Sequence, residues 1–331
     1  MAHQPAGIAI GLLGDVMLGR MVARALERQP PETLWAPGLR ELAASLDLVI
    51  CNLECCISSR GRPTTLIEGK PFFFRGPPAA VEALTTMNVR AVGLANNHAL
   101  DFGPQALEDT LQLLGAADIA VAGAGFGPDA ARSVAVVPAD GVRVGLIAVT
   151  DHPAEYAAAP GCWGVALAAM RDGPPSWLLE RIAAAQEHCD LLIAFPHWGT
   201  NMTSSPARWQ QMAAASLQAA GANVVAGHSA HVFHGVGWNS GPVLFDLGDV
   251  LDDYMVDRRL RNDLGVLAIW RPHAGPQLEL VALRLEYCHT RLADGADADW
   301  IAARLEPACQ QLGTAVTRTS EQRFAISPIS T

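Results

Sequence analysis

The chain has 331 residues, half of them hydrophobic and 17% charged, with a formal net charge of −10. Such a chain builds a sizeable buried core, as one large domain or two ordinary ones. The acidic balance and the absence of any Lys/Arg run exclude nucleic acid as the expected partner, since phosphate neutralisation needs clustered cations.

No run of 18 or more apolar residues occurs, so no membrane span is expected. The opening MAHQPAGIAIGLLGD lacks the basic start and small-residue cleavage site of a signal peptide, which gives a cytoplasmic expectation. The seven cysteines form no CxxC pair. Cys51, Cys55 and Cys56 flank an apparent strand end and read as buried free thiols in a reducing compartment.

In chain order, "IAIGLLGD", "LDLVICNLE", "RAVGLANNH" and "IAVAGAG" each read as a buried strand closing on polar residues or glycine. Between them, "PPAAVEALTTMN" and "GPQALEDTLQLLGAA" carry helical spacing with proline near the start. "SVAVVPADGVRVGLIAVTD" reads as a hairpin about Asp140-Gly141. A helix over "PSWLLERIAAAQEHC", a strand over "DLLIAFPHWG" and a helix over "SPARWQQMAAASLQAAGA" follow. "NVVAGHSAH", "GPVLFDLGD", "LGVLAIW" and "LELVALRLEY" are four further strands. Alternation of strand and helix, with continuously apolar strands, predicts a layered α/β domain over residues 1–290. Residues 291–331 read as a peripheral extension.

The unusual residues fall at the strand ends. Asp15 ends the first strand, Asn52 and Glu54 the second, and Asn96, Asn97 and His98 the third, with Asp101 following. His197, then His228 and His231, then Asp246 and Asp249 end later strands. Ligands of open α/β sheets bind beyond the carboxyl ends of the strands. Asp, Glu, Asn and His together are the donors that suit Mn²⁺, Zn²⁺, Fe²⁺ or, less well, Mg²⁺.

Each residue alone has a structural alternative. Asp15 could cap the stretch from Met17, Asn97 could hold a turn, and His197 could be a satisfied core histidine. Six such accidents at six strand ends would be a coincidence, whereas one cation site explains them together. His234 lies beyond the cluster, with functional and structural readings equally open.

The motifs "GDVMLGR", "NLECCIS", "FFFRGPP", "LANNHALDFG", "PHWG", "AGANVVAGHSAHV" and "FDLGD" occur here in the order seen in CapA-type proteins. On them the chain resembles the poly-γ-glutamate capsule-synthesis family of the calcineurin-like metallo-dependent phosphatase superfamily, from about Ile8 to about Tyr287. The resemblance implies a four-layer α/β/β/α sandwich that binds a divalent ion (Mn, Zn, Fe, Mg or Ca) and no organic cofactor. By position it implies Asp15, Glu54, Asn97, His197, His228 and His231 as metal ligands, His98 as general acid or base, and Asp101 orienting it.

The chain also departs from the pattern. Asp-x-His is Asp15-Val16-Met17, Asn201 stands where the family has glutamate, the double histidine is His228-Ser229, and LGN is Leu247-Gly248-Asp249. These departures weigh against a full two-metal centre and against the family's ordinary substrate, with Asp249 available as ligand or base.

A lasso-peptide epimerase of this family inverts the α-carbon of a precursor peptide's C-terminal tryptophan. The chain is similar to it, and the similarity implies a peptide epimerase acting on a precursor peptide, with Asn52, Arg75 and Trp198 expected at the substrate. His197, His231 or Asp249 would hold the metal or carry the second proton. Two other readings are phosphoester hydrolysis and poly-γ-glutamate binding. The last would need Arg20, Arg24, Arg75, Arg258, Arg259 and Arg261 to gather on one surface. The sequence sets no oligomeric state.

Overall fold

The computed structural model describes residues 7–275 and 277–329. Residues 1–6, on which part of the leader expectation rests, and the last two residues of the tail lie outside the described residues. Two sheets organise the chain. The larger has ten strands, with main-path order Thr314–Ser320, Arg323–Pro328, Leu278–Glu286, Leu264–Trp270, Ile10–Val16, Leu48–Leu53, Val89–Gly93 and Ala120–Ala122. The smaller has six, in the order Val236–Trp238, Pro242–Leu244, Val224–Ala226, Leu191–His197, Val142–Thr150 and Ala135–Ala139.

The pleat of the smaller sheet sorts its side chains between two cores. Val144, Leu146, Ala148, Ile193, Phe195 and Val224 join the core built on the ten-stranded sheet. Their alternates Ile147, Val149, Leu192, Ala194 and Val225 pack with Leu178, Ile182, Ala214 and Leu217 of the helices Ser176–Ala185 and Arg208–Ala219. Both faces of these strands are therefore apolar, which is why they read as continuous hydrophobic runs. Helices Pro37–Ala44 and Ala80–Thr86 bury Leu39, Ala43, Ala83 and Leu84 against the larger sheet's core. The result is the expected four-layer α/β/β/α sandwich.

Most expected elements are present, including the hairpin, where Asp140 and Gly141 both take positive φ (46° and 75°), the conformation a two-residue turn demands. Two differ. "GPVLFDLGD" is not one strand: Pro242–Leu244 joins the smaller sheet and Asp249–Leu251 the larger. The break falls at Gly248, whose φ is +73°, and Asp246 accepts from the Gly248 and Ala230 N–H groups across it.

The tail is not peripheral. Helix Gly295–Gln311 buries Ile301, Leu305 and Cys309, and strands Thr314–Ser320 and Arg323–Pro328 extend the larger sheet, burying Phe324 and Ile326. Their outer faces are exposed, so the apolar content is too sparse to announce a strand. Six of the seven cysteines are buried free thiols and Cys162 is exposed. Among the described residues no helix is long and apolar enough to cross a membrane.

Candidate metal centre

Strand register assembles the site. In the larger sheet Asp15 pairs in parallel with both Asn52 and Asp249. In the smaller sheet His197 makes a parallel bridge to His228. One sheet thus supplies carboxylates and the other imidazoles, at the same end of the sandwich. Gly14 permits the close strand approach: a Cβ there would lie 1.9 Å from the Gly248 carbonyl oxygen. The ligand-bearing loop after Ala226 is conformationally tense, with Ser229 at φ 112° and His231 at φ 59°. Non-glycine residues hold such values only where the surroundings impose them.

The donor atoms fall into two overlapping groups. Asp15, His197 and His228 form one; Asp15, Glu54, His231 and Asp249 form the other; within each, the atoms lie within 4.8 Å of one another. Asp15 belongs to both. One of its oxygens lies 3.9 Å from His197 Nδ1, and the other lies 3.6 Å from His231 Nδ1. A carboxylate placed this way can bridge two cations. The departures from the family pattern weighed against a two-metal centre, yet the geometry offers two ligand sets, with Asp249 completing the second.

The donor chemistry fits cations. Glu54 Oε1, His197 Nδ1, both ring nitrogens of His228, and Asp249 Oδ2 are buried without a hydrogen-bond partner. Buried polar atoms left unpaired are costly, and here they converge. Burial pushes His197 far below its usual range and His228 down to about 3, so both rings are neutral and free to donate a lone pair. Burial, reinforced by neighbouring carboxylates, pushes Glu54 and Asp249 well above the carboxylate range. His231 is the exception. Burial alone would lower it, but Glu54 and Asp15 outweigh that and raise it. So many buried carboxylates around one imidazole need positive charge to remain ionised, which divalent ions supply.

Beside these groups stands His98. Its Nδ1 is 2.6 Å from Asp101 Oδ2, and its Nε2 is 4.0 Å from Glu54 Oε1. Asp101 also accepts from the Phe74 backbone N–H (2.6 Å) and the Tyr156 hydroxyl (3.1 Å). Lys70 Nζ lies 3.2 Å from it. His98 stacks on Phe74 with ring centroids 3.9 Å apart. Burial lowers its pKa to about 4, against the opposing pull of Asp101. Asn97, expected as a ligand, keeps a buried Oδ1 without a partner, while its backbone oxygen accepts from Lys70.

Of the three expected substrate contacts, Asn52 and Trp198 are buried and Arg75 faces a cleft beside the site. Asn52 is fully buried; it donates to Asp15 Oδ1 at 2.7 Å and accepts from Asn96 at 3.1 Å. It orients the shared carboxylate. Trp198 is also fully buried, donating to the Phe245 carbonyl at 2.9 Å and packing edge-on against Trp209. It is a core residue. Arg75 faces a cleft beside the site with its guanidinium over Phe102.

His234 is also structural, since its Nε2 donates to the Thr203 carbonyl at 3.1 Å. Sequence reasoning missed Tyr254, whose hydroxyl donates to Glu54 Oε2 at 3.3 Å, although "DDY" directly follows the Asp249 strand. It also missed His152, whose ring centroid lies 5.5 Å from that of His197. Its signal was a "TDH" ending the strand next to "PHWG".

Fold and site together define a layered α/β protein with a carboxylate–imidazole centre at the strand ends. The chain belongs to the family described as bacterial capsule synthesis protein PGA_cap, whose model matches residues 9–254. It is 29% identical to a probable polyglutamine synthesis accessory protein of Mycobacterium tuberculosis, over 99% of this chain and 98% of that one. It is 26% identical to the PGA biosynthesis protein CapA of Bacillus subtilis, over 74% of this chain and 63% of that one. Among solved structures, a putative 5'-nucleotidase from Staphylococcus aureus gives a TM-score of 0.47 at 14% identity, covering 93% of this chain and 58% of that one. A hypothetical protein from Thermus thermophilus gives 0.46 at 14% identity, covering 86% and 96%. Likeness at that level carries no functional weight.

Proposed function

We propose that the protein is a metal-dependent hydrolase serving the synthesis of an amino-acid polymer, cutting an amide or phosphoester bond. The observation that carries this reading is the pair of buried ligand sets sharing Asp15. What divalent cations supply in such a site is Lewis acidity, polarising a carbonyl or phosphoryl oxygen and making water acidic enough to attack near neutral pH.

The chain's own residues do the rest. Asn52 and the Ser229 N–H fix the two oxygens of Asp15. Asp101 accepts the Nδ1 proton of His98, which leaves Nε2 as the acceptor, and burial keeps the ring neutral. His98 therefore enters at neutral pH as a base and returns its proton to the leaving group as an acid. Tyr254 holds Glu54 from the cavity side. The test is to load the purified protein with Mn²⁺, Zn²⁺ or Mg²⁺ and follow chain shortening of poly-γ-glutamate and phosphate release from an aryl phosphate. Activity on one of them, abolished by chelation and by His98→Ala, supports the reading. Inactivity on both with metal bound overturns it.

A second reading rests on the cavity above the ligands. Its roughly 330 Å³ is lined by Phe72, Phe74, Met202, Tyr254 and Met255, with Arg20, His98 and His231 as its charged or titratable groups. Apolar walls around one guanidinium suit the last side chain and carboxylate of a peptide. There His98 would remove an α-proton instead of activating water and His231, which lines the same cavity, would return a proton to the opposite face, making the protein a peptide epimerase acting on a precursor peptide. Deuterium from solvent at the terminal α-carbon would identify this chemistry, and its absence from metal-loaded, otherwise active protein would end it.

A further inference from the structure

Three arginines meet beside the metal centre. Arg20, Arg24 and Arg75 line a cleft of about 520 Å³ together with Glu27, Ser58 and Ser59. Arg20 also lines the cavity over the ligand residues, so one guanidinium forms a wall of both spaces. On a chain of net charge −10, next to a cluster of buried carboxylates, this is a local reversal of sign.

The way the three are held matters more than their number. Arg75 is fixed by neutral groups: its Nη1 donates to the carbonyls of Arg60 (2.8 Å) and Gly61 (3.3 Å), and its guanidinium carbon lies 4.2 Å from the Phe102 ring centroid. Among the described residues no carboxylate lies within 4.0 Å of Arg75 or Arg24. Arg20 does meet Asp253, through Nε at 3.2 Å, while its guanidinium carbon sits 5.6 to 5.8 Å from the ring centroids of Phe72, Phe74 and Tyr254.

Backbone geometry brings the carriers together. Gly19 packs against the Phe74–Arg75 backbone so closely that a Cβ would lie 2.8 Å from Arg75 N. Gly61, at φ +86°, carries the loop that holds Arg75 against Phe102. A guanidinium oriented by carbonyls and an aromatic face keeps its charge and its remaining N–H groups for an incoming anion. By contrast, Arg261 is paired with Asp263 and Asp297, and Arg259 lines a different cleft, so the broad six-arginine surface considered from sequence does not form and only Arg20, Arg24 and Arg75 gather, as a local anion site.

We propose that this cleft is a second binding site, which holds side-chain carboxylates of an acidic chain whose reacting group lies in the metal cavity, with Arg20 at the junction. The site rests on the hydrolase reading for its place in a reaction, but not for its ability to bind. It makes the substrate an extended, carboxylate-bearing polymer rather than a compact metabolite.

The experiment is fluorescence anisotropy of labelled γ-linked hexaglutamate on the full chain, with and without chelator, alongside neutral hexaglutamine. Metal stoichiometry is measured on every sample. Binding of hexaglutamate should persist after chelation, weaken with added salt and exceed that of hexaglutamine. Arg24→Gln and Arg75→Gln should each weaken it by about tenfold, the scale of one charge-assisted contact, with metal content unchanged. Arg24 is the safer variant for folding, because its side chain makes no buried hydrogen bond.

Equal affinity for the neutral oligomer, or unchanged binding in both variants, overturns the proposal even when two ions bind. Displacement by tripolyphosphate at concentrations far below those of hexaglutamate overturns the carboxylate assignment in favour of a phosphate chain. Loss of metal binding with hexaglutamate binding intact strikes the hydrolase reading alone.

Discussion

His98 Nδ1 lies 2.6 Å from Asp101 Oδ2, and the same carboxylate is also gripped by the Phe74 N–H, the Tyr156 hydroxyl and Lys70. An imidazole held this way has one tautomer and one orientation. Asp101→Asn removes the acceptor for the Nδ1 proton while nearly preserving shape. The expected result is a fall in kcat of about 10- to 100-fold with metal content intact, the scale of losing an orienting partner. Steady-state kinetics with metal analysis checks it. A variant that keeps full kcat would detach His98 from the chemistry.

Asp15 belongs to both ligand groups, whereas His228 belongs to one and Asp249 to the other. Removing donors should therefore have unequal consequences. Wild-type protein is expected to bind two divalent ions, His228→Ala and Asp249→Ala to keep one each, and Asp15→Asn to lose both or bind them far more weakly. Plasma mass spectrometry after extensive dialysis gives the count. Equal loss from all three variants would dissolve the two-set description.

Much of this arrangement is readable in the sequence, because a short buried strand that ends in Asp, Asn, Glu or His must place that group at the sheet's carboxyl end. Asp15, Glu54, His197 and His228 are placed that way, whereas Asp249 opens its own short strand beside Asp15, and the i,i+3 spacing of His98 and Asp101 closes their hydrogen bond. Roles that depend on which way a side chain turns are not readable. Asn52 and Glu54 lie two residues apart, yet Asn52 serves Asp15 and Glu54 faces the ligands. Trp198 follows His197 directly, and strand alternation sends the two side chains to opposite faces. The tail strands escape because their pattern is half exposed, and helix Gly295–Gln311 carries Pro307 inside it.

The reassignment of Trp198 has a measurable consequence. A fully buried indole with its N–H on the Phe245 carbonyl leaves both a cavity and an unpaired acceptor when it is truncated. Trp198→Ala should cost about 3–5 kcal/mol of stability in urea unfolding. Under conditions where the variant stays folded, KM should change little. A raised KM with unchanged stability would return Trp198 to the substrate.

His234 offers a pH test away from the ligand groups. Burial holds its pKa at about 4, below the ordinary value of 6.5, with Arg304 opposing protonation and the Thr203 carbonyl favouring it. Above pH 6.5 the ring is neutral in folded and unfolded chains alike, so it adds no pH dependence. Between 6.5 and about 4 the unfolded chain takes up a proton that the folded chain refuses, and stability falls as pH falls. The slope is about 1.4 kcal/mol per pH unit for one such group. In metal-free protein, urea unfolding from pH 7 to pH 4 should show wild type losing stability relative to His234→Gln at up to that slope. Parallel curves would mean that His234 takes its proton freely in the folded state.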